Sequence, residues 1–264
     1  MFSKPIFFLH NPKAGGTSIS NLLRSLNVTA DIAPDFSNAP NNHRVNLNSV
    51  PKFSGYRLYI GHYGYENYKR FGRGHDLITN FRHPVSRIHS LYRYWRHNVR
   101  LENLIAIDPT DARVVALAHQ LNFSDFIRHP NPDLRLYLDN AHFRQLYRCN
   151  WTPETATADK LAIVKRRIDA MPWIFISEAA EISSHLFQIF LPELAVTEIP
   201  HHNTSAVAPD TVSFEDEAYI EQINDADLKI YSHALQLQQS RAISHAGRVC
   251  QTSTKSGAEP KSGL

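Results

Sequence analysis

Two short segments of this chain carry residue types suited to holding an anion. Residues 10–18 read His-Asn-Pro-Lys-Ala-Gly-Gly-Thr-Ser, set between a short apolar run and a stretch with helical spacing. Backbone N–H groups exposed at a helix amino end bind anions, and the helix dipole favours negative charge there. Gly15 and Gly16 let the backbone come close to a ligand. Thr17 and Ser18 supply hydroxyl donors, Ala14 lies within the same loop, and Lys13 adds a mobile positive charge. This is not a Walker A loop, in which lysine directly precedes serine or threonine and a glycine stands five residues earlier. Here Lys13 precedes both glycines and Gly16 precedes Thr17. No convincing acidic strand end is present to hold magnesium, so an ATPase or GTPase is disfavoured. A tight turn with an ordinary helix cap is the plainer alternative, but a cap requires neither the lysine nor two glycines.

The second segment, residues 82–90, reads Arg-His-Pro-Val-Ser-Arg-Ile-His-Ser. A guanidinium donates two parallel hydrogen bonds to phosphate oxygens, which suits Arg82, and Ser90 lies about two helical turns further on. Taken alone, the segment reads better as a surface salt bridge and a solvated serine.

The elements that must position these groups are legible from periodicity. Residues 5–10, 57–61, 76–81 and 173–176 read as short buried strands. Residues 17–26 carry helical spacing. Pro84 is favoured at a first helical position and opens a helix with an apolar stripe of Val85, Ile88, Tyr92 and Trp95. Residues 27–54 read as an irregular excursion, and 101–150 as short helices anchored by Phe123, Phe126, Tyr137 and Phe143. Thr152-Pro153-Glu154 is a predicted helix start, Ser177 a predicted cap, and Asp216 to about Gln239 a last long helix. Strands alternating with helices argue for a single α/β domain with a P-loop-like, mostly parallel sheet flanked by helices. That domain spans residues 1–243, with 99–172 a variable helical insertion and 244–264 a disordered tail. Ligands of such sheets sit beyond the carboxyl ends of the strands. The 11–17 loop, His62 and Arg82 each follow a predicted strand, so all three fall on one rim.

Together the segments resemble those of the sulfotransferases that use PAPS (3′-phosphoadenosine 5′-phosphosulfate), within them the carbohydrate group that includes heparan sulfate 2-O- and 6-O-sulfotransferases. In that family a PKxGGTS loop holds the 5′-phosphosulfate, here Pro12 to Ser18. An R-x-P-x-x-R-x-x-S segment holds the 3′-phosphate, here Arg82, Pro84, Arg87 and Ser90. A Gly-His pair often follows a strand between them, here Gly61-His62. Pro200 to Ser205 is similar to the family's loop that closes over the donor, through Asn203, Thr204 and Ser205. The resemblance covers residues 5–98 well and 173–235 loosely, and Asn11 and His83 depart from the usual pattern.

The resemblance implies in-line transfer of a sulfonate to a hydroxyl, with Lys13 and the loop amides stabilising charge on the leaving phosphate and no metal required. Histidine accepts protons near neutral pH, so His62 is the candidate base and Glu66 the alternative. A structural His62, bound within its loop, is the plainer reading. The arginines at 93, 96 and 100 suit an acidic carbohydrate or glycoconjugate acceptor; a neutral glycan or small alcohol fits as well. A kinase-like phosphoryl transferase and a non-catalytic module that binds PAP, the desulfated donor, are the rival readings.

Composition adds limits. Lys plus Arg is 28 against 25 Asp plus Glu, a formal charge of +3, too little to argue for nucleic acid. Two distant cysteines, Cys149 and Cys250, give no disulfide framework or zinc spacing. No apolar run approaches the roughly 18 residues of a membrane span, and no signal-peptide core is seen. These features predict a cytoplasmic protein. Oligomeric state is not legible.

Overall fold

The computed structural model describes residues 4–25, 31–34, 54–105, 108–149, 151–192 and 211–255. Four short runs rich in branched and aromatic residues form β1 (Ile6–Leu9), β2 (Leu58–Gly61), β3 (Asp76–Phe81) and β4 (Ile174–Ile176). They pair in the order β2-β1-β3-β4, all parallel. The register sets Leu9 beside both Gly61 and Thr79, and Phe81 beside Ile176, so the carboxyl ends share one rim.

Parallel strands are buried on both faces, and successive side chains alternate between them. Phe7, Leu9, Tyr59, Leu77 and Phe81 face one layer, built from α8 (Ala141–Tyr147), α9 (Ala158–Asp169) and α12 (Asp225–Lys255). Ile6, Phe8, Leu58, Ile60 and Ile78 face the other, built from α1 (Gly16–Ser25) and α10 (Ala180–Phe190), with Trp173 against Phe187. The chain is thus a single α/β domain, a four-stranded parallel sheet flanked by helices. A third apolar cluster joins α3 (Pro84–Asn98), α5 (Pro109–Gln120), α6 (Phe123–Arg128), α7 (Pro132–Leu138) and α11 (Phe214–Ile223) through Ile88, Trp95, Val115, Phe126, Leu134 and Ile220. Two short helices, α2 (Tyr65–Phe71) and α4 (Leu101–Ile105), complete the order.

The short helices end in carbonyls that lack partners of their own, and arginines supply them. Arg96 donates to the carbonyls of Ala118 and Leu121 behind α5, and Arg135 to that of Ile127 in α6. Arg87 and Arg144 serve the end of α7, at Tyr137, Leu138 and Asp139. Arg167 serves α8 at Leu146 and Tyr147. A guanidinium placed there also opposes the negative end of the helix dipole. Arg96, one of the arginines expected to suit an acidic acceptor, also donates from the same nitrogen to the Tyr92 hydroxyl.

Helices α8 and α12 cap each other. The Asp227 carboxylate accepts from the amides of His142 and Phe143, and the Asn140 side-chain oxygen accepts from those of Ala226 and Asp227. Both edges of the sheet are engaged. Beside β2, Ala33 N donates to Leu58 O and Arg57 N to Asp31 O. Beside β4, Gln238 donates to Ile174 O, and Ser183 Oγ accepts from Ile176 N.

Three expected boundaries shift. Helix α9 begins at Ala158, because Thr157 and not Thr152 accepts from the amide of Lys160. Ser177 caps nothing: a 3-10 turn over Ser177–Ala179 precedes α10, and its buried Oγ has no hydrogen-bond partner among the described residues. The last long helix is two, α11 and α12, broken at Asn224, whose side chain donates to Ile220 O and accepts from Asn140 N. Helix α12 then runs to Lys255, past Ser244, where a disordered tail was expected to start. Arg241 holds the Asp169 carbonyl and His245 lies against His185, so tertiary contacts reach the start of that stretch. Among the described residues, no helix is long and apolar enough to cross a membrane.

Candidate functional site

The connection from β1 leads to β2 on one side, and the connection from β3 leads to β4 on the other. The carboxyl ends of β1 and β3 therefore flank the point where the winding direction changes, the place where such sheets bind ligands. The loop of residues 10–15 follows β1, and Arg82 follows β3.

Backbone geometry shapes the loop. Lys13 and Gly15 both have left-handed backbones, with φ of 62° and 79°. A side chain at Gly15 would lie 2.6 Å from the Phe175 ring, and one at Gly16 would lie 2.1 Å from the His10 imidazole. Both positions thus need glycine for space, and Gly15 for conformation as well. Helix α1 starts at Gly16, which puts Gly16, Thr17 and Ser18 in its first turn. Ala14 and Ser18 are buried, while Gly15 and Thr17 are exposed.

Asn80, wholly buried near the end of β3, fastens the loop. Its Oδ1 accepts from Asn11 N at 2.7 Å, and its Nδ2 donates to Asn11 O at 3.0 Å and Ala14 O at 2.9 Å. The Asn11 side chain returns the contact, donating to Asn80 O at 2.6 Å and Thr79 Oγ1 at 3.3 Å. Two adjacent polar residues in a strand buried on both faces, Thr79 and Asn80, were the sequence signal for this network.

Lys13 and Arg82 stand side by side. Arg82 donates to the Lys13 carbonyl at 3.4 Å. The Lys13 amine lies 3.7 Å from the centroid of the Tyr94 ring on α3. Burial, and then the Arg82 charge, pulls that amine down to about 8. Burial also lowers Arg82, and the Glu178 carboxylate opposes this. Glu178 accepts from His83 N at 3.0 Å, at the amino end of α3, and from the Tyr231 hydroxyl at 3.3 Å.

His62 Nδ1 lies 2.8 Å from His10 O. A carbonyl only accepts, so Nδ1 carries the ring proton and Nε2 holds the lone pair of the neutral imidazole. The His10 ring lies 4.6 Å from that of His62. Burial first, then the charges of His62, Lys13 and Arg24, holds His10 well below the usual imidazole range, so it stays neutral. Gln145 of α8 enters from the helical segment and donates to His10 O at 3.2 Å and Tyr63 O at 2.8 Å.

The rim thus gathers Lys13, Ala14, Gly15, Gly16, Thr17, Ser18, His62 and Arg82, as the sequence reading placed them. Ser90 is half-buried on α3, one turn before Tyr94. Arg87 does not join them: it is buried and points to the end of α7. Glu66 is held at the surface by Arg148 Nε at 2.7 Å. Asn203, Thr204 and Ser205 lie outside the described residues. Asn80, Gln145, Tyr94 and Glu178 were not anticipated. No family model matches the chain, and no relative is found among curated proteins.

Proposed function

We propose that the chain is a PAPS-dependent sulfotransferase acting on a hydroxyl of a carbohydrate or glycoconjugate in the cytoplasm, without a metal. One observation carries the reading. Two cations, Lys13 and Arg82, are held partly buried and adjacent at the strand switch point, beside the amino end of α1. Like charges desolvated together are unfavourable, and an anionic ligand relieves both the repulsion and the lost hydration. A donor with phosphates at two ends suits a crevice with the loop of residues 13–18 on one wall and Arg82 and Ser90 on the other. The closing segment is assigned to Asn203, Thr204 and Ser205.

In the transfer, the sulfur–oxygen bond to the leaving phosphate breaks as the bond to the acceptor oxygen forms. The leaving phosphate keeps the electron pair, which Lys13 and the amides of Gly16 to Ser18 stabilise. The acceptor proton passes to His62 Nε2. A neutral His10 beside it adds no repulsion to the imidazolium that results. Gln145 holds the same carbonyl as His62, so the 99–172 segment is where acceptor contacts are assigned.

The test is a calorimetric titration with PAP, set against ADP with magnesium, on the wild type and Lys13→Ala. Metal-independent binding of PAP, weakened about tenfold or more in the variant by loss of a charge-assisted bond, is the expected result. Preference for ADP with magnesium points instead to a phosphoryl transferase. Binding of PAP with no sulfonate transfer to any acceptor points to a non-catalytic module.

A further inference from the structure

We propose that Tyr94 is a positioning residue for Lys13: its ring is the resting place of the ammonium, spanning the crevice from the β1 loop to α3 until an anion draws the amine away. The inference rests on the sulfotransferase reading for the identity of that anion, but not for the contact itself.

The observations are independent of that reading. Lys13 is held in a left-handed backbone at φ 62°, so its side chain leaves the loop in a direction set by the loop's own fastening to Asn80. Its amine stands 3.7 Å from the Tyr94 ring centroid. An ammonium over an aromatic face is attracted by the ring quadrupole, by about 0.5–1 kcal/mol when partly exposed. The neighbouring groups give no such stabilisation. Arg82 repels the ammonium, and His10 is neutral. Glu178 is already engaged by His83 N and the Tyr231 hydroxyl. Tyr94 is itself 43% exposed, turned away from the core that Leu91, one turn earlier, and its neighbour Trp95 enter. Its outward position is what lets it meet Lys13 across the crevice. Tyr94 and Ser90 are four residues apart on α3, hence on one helix face, so the amine rests beside the wall assigned to the second phosphate. A contact of this strength restrains the amine but yields to a phosphate or sulfonate oxygen, whose charge-assisted bonds are stronger.

The experiment is competitive acetylation of the whole chain, with Lys13 labelling read by mass spectrometry against exposed Lys69. It uses the wild type, Tyr94→Phe and Tyr94→Leu, each with and without PAP. Acetylation requires the amine neutral and off the ring. Without PAP, Tyr94→Leu labels about two- to fivefold faster than wild type, the factor that 0.5–1 kcal/mol converts to. Tyr94→Phe, which keeps the ring, labels like wild type. Equal rates in all three, or a Phe variant as fast as Leu, overturns the assignment. The PAP arm separates the two readings: failure of PAP to protect Lys13 in any variant removes the donor while leaving the Tyr94 contact as measured.

Discussion

Lys13 carries the sharpest consequence at the scale of single residues, because its charge is poised within reach of ordinary buffers. The amine is pulled down to about 8 by burial and by Arg82, and an anion binds the ammonium, not the amine. PAP affinity is therefore expected to be flat from pH 7 to about 8 and to weaken above it, by up to tenfold per pH unit. In Lys13→Arg the fall disappears, because guanidinium stays charged; titrations over pH 7–9.5 check both, above the second phosphate ionisation near 6. Asn80 gives a second expectation. In Asn80→Asp one acceptor is kept for Asn11 N, but the carbonyls of Asn11 and Ala14 lose their donor and face a buried carboxylate. A loss of about 2–4 kcal/mol in urea unfolding is expected at pH 7. The two residues differ in legibility. Lys13, the glycines and Thr17 sit within one stretch, where spacing alone reveals a loop. Asn80 binds residues 66 and 69 positions away, and Gln145 reaches back 135. Such contacts leave only a trace in sequence, as a polar residue where a buried strand calls for an apolar one. The arginines misled for the same reason: a guanidinium on a helix looks identical whether it faces a phosphate or the carbonyls of a distant helix.

At the scale of elements, the strands were legible to within a residue or two, because strands buried on both faces are short runs dominated by branched and aromatic residues, with Thr79 and Asn80 of β3 as the buried polar exceptions. The helical boundaries that moved are those decided by contacts between helices. Asn140 shows how: with φ of 45° it sits in the left-handed region, and its side chain closes the start of α12 and holds the end of α11 at Ile223. Asn140→Gly keeps the backbone free to adopt that conformation and removes the three side-chain bonds. It is expected to lower stability by about 1–2 kcal/mol. Asn140→Ala adds about 1 kcal/mol more, from the clash a Cβ meets at positive φ. Denaturant unfolding of both variants separates the capping contribution from the backbone one. A Gly variant as stable as wild type would mean that the reciprocal caps contribute nothing.

At the scale of the molecule, the candidate site draws on elements from all three apolar clusters. Helix α3 belongs to the helical cluster yet bears Tyr94 and follows Arg82, while α8 packs on the sheet and sends Gln145 to His10. A ligand in the crevice thus touches parts of the chain that would otherwise be stabilised separately. PAP at 100 times its dissociation constant adds about 2.7 kcal/mol, which corresponds to a rise of about 5–10 °C in Tm for a chain of this size. Calorimetry is expected to show one transition that moves as a whole; two transitions, with only one shifted, would place the donor on a single layer. The two ends of the sheet have a different consequence. The segment at 31–33 meets β2 at its first residue, Leu58, and Gln238 and Ser183 finish the backbone of β4 with side-chain amide and hydroxyl groups. Among the described residues the β4 margin offers no row of open N–H and C=O groups to a passing strand. Lateral recruitment of a second chain, the route by which exposed sheets grow into ribbons and fibrils, is opposed at the β4 margin for as long as α10 and α12 stay docked.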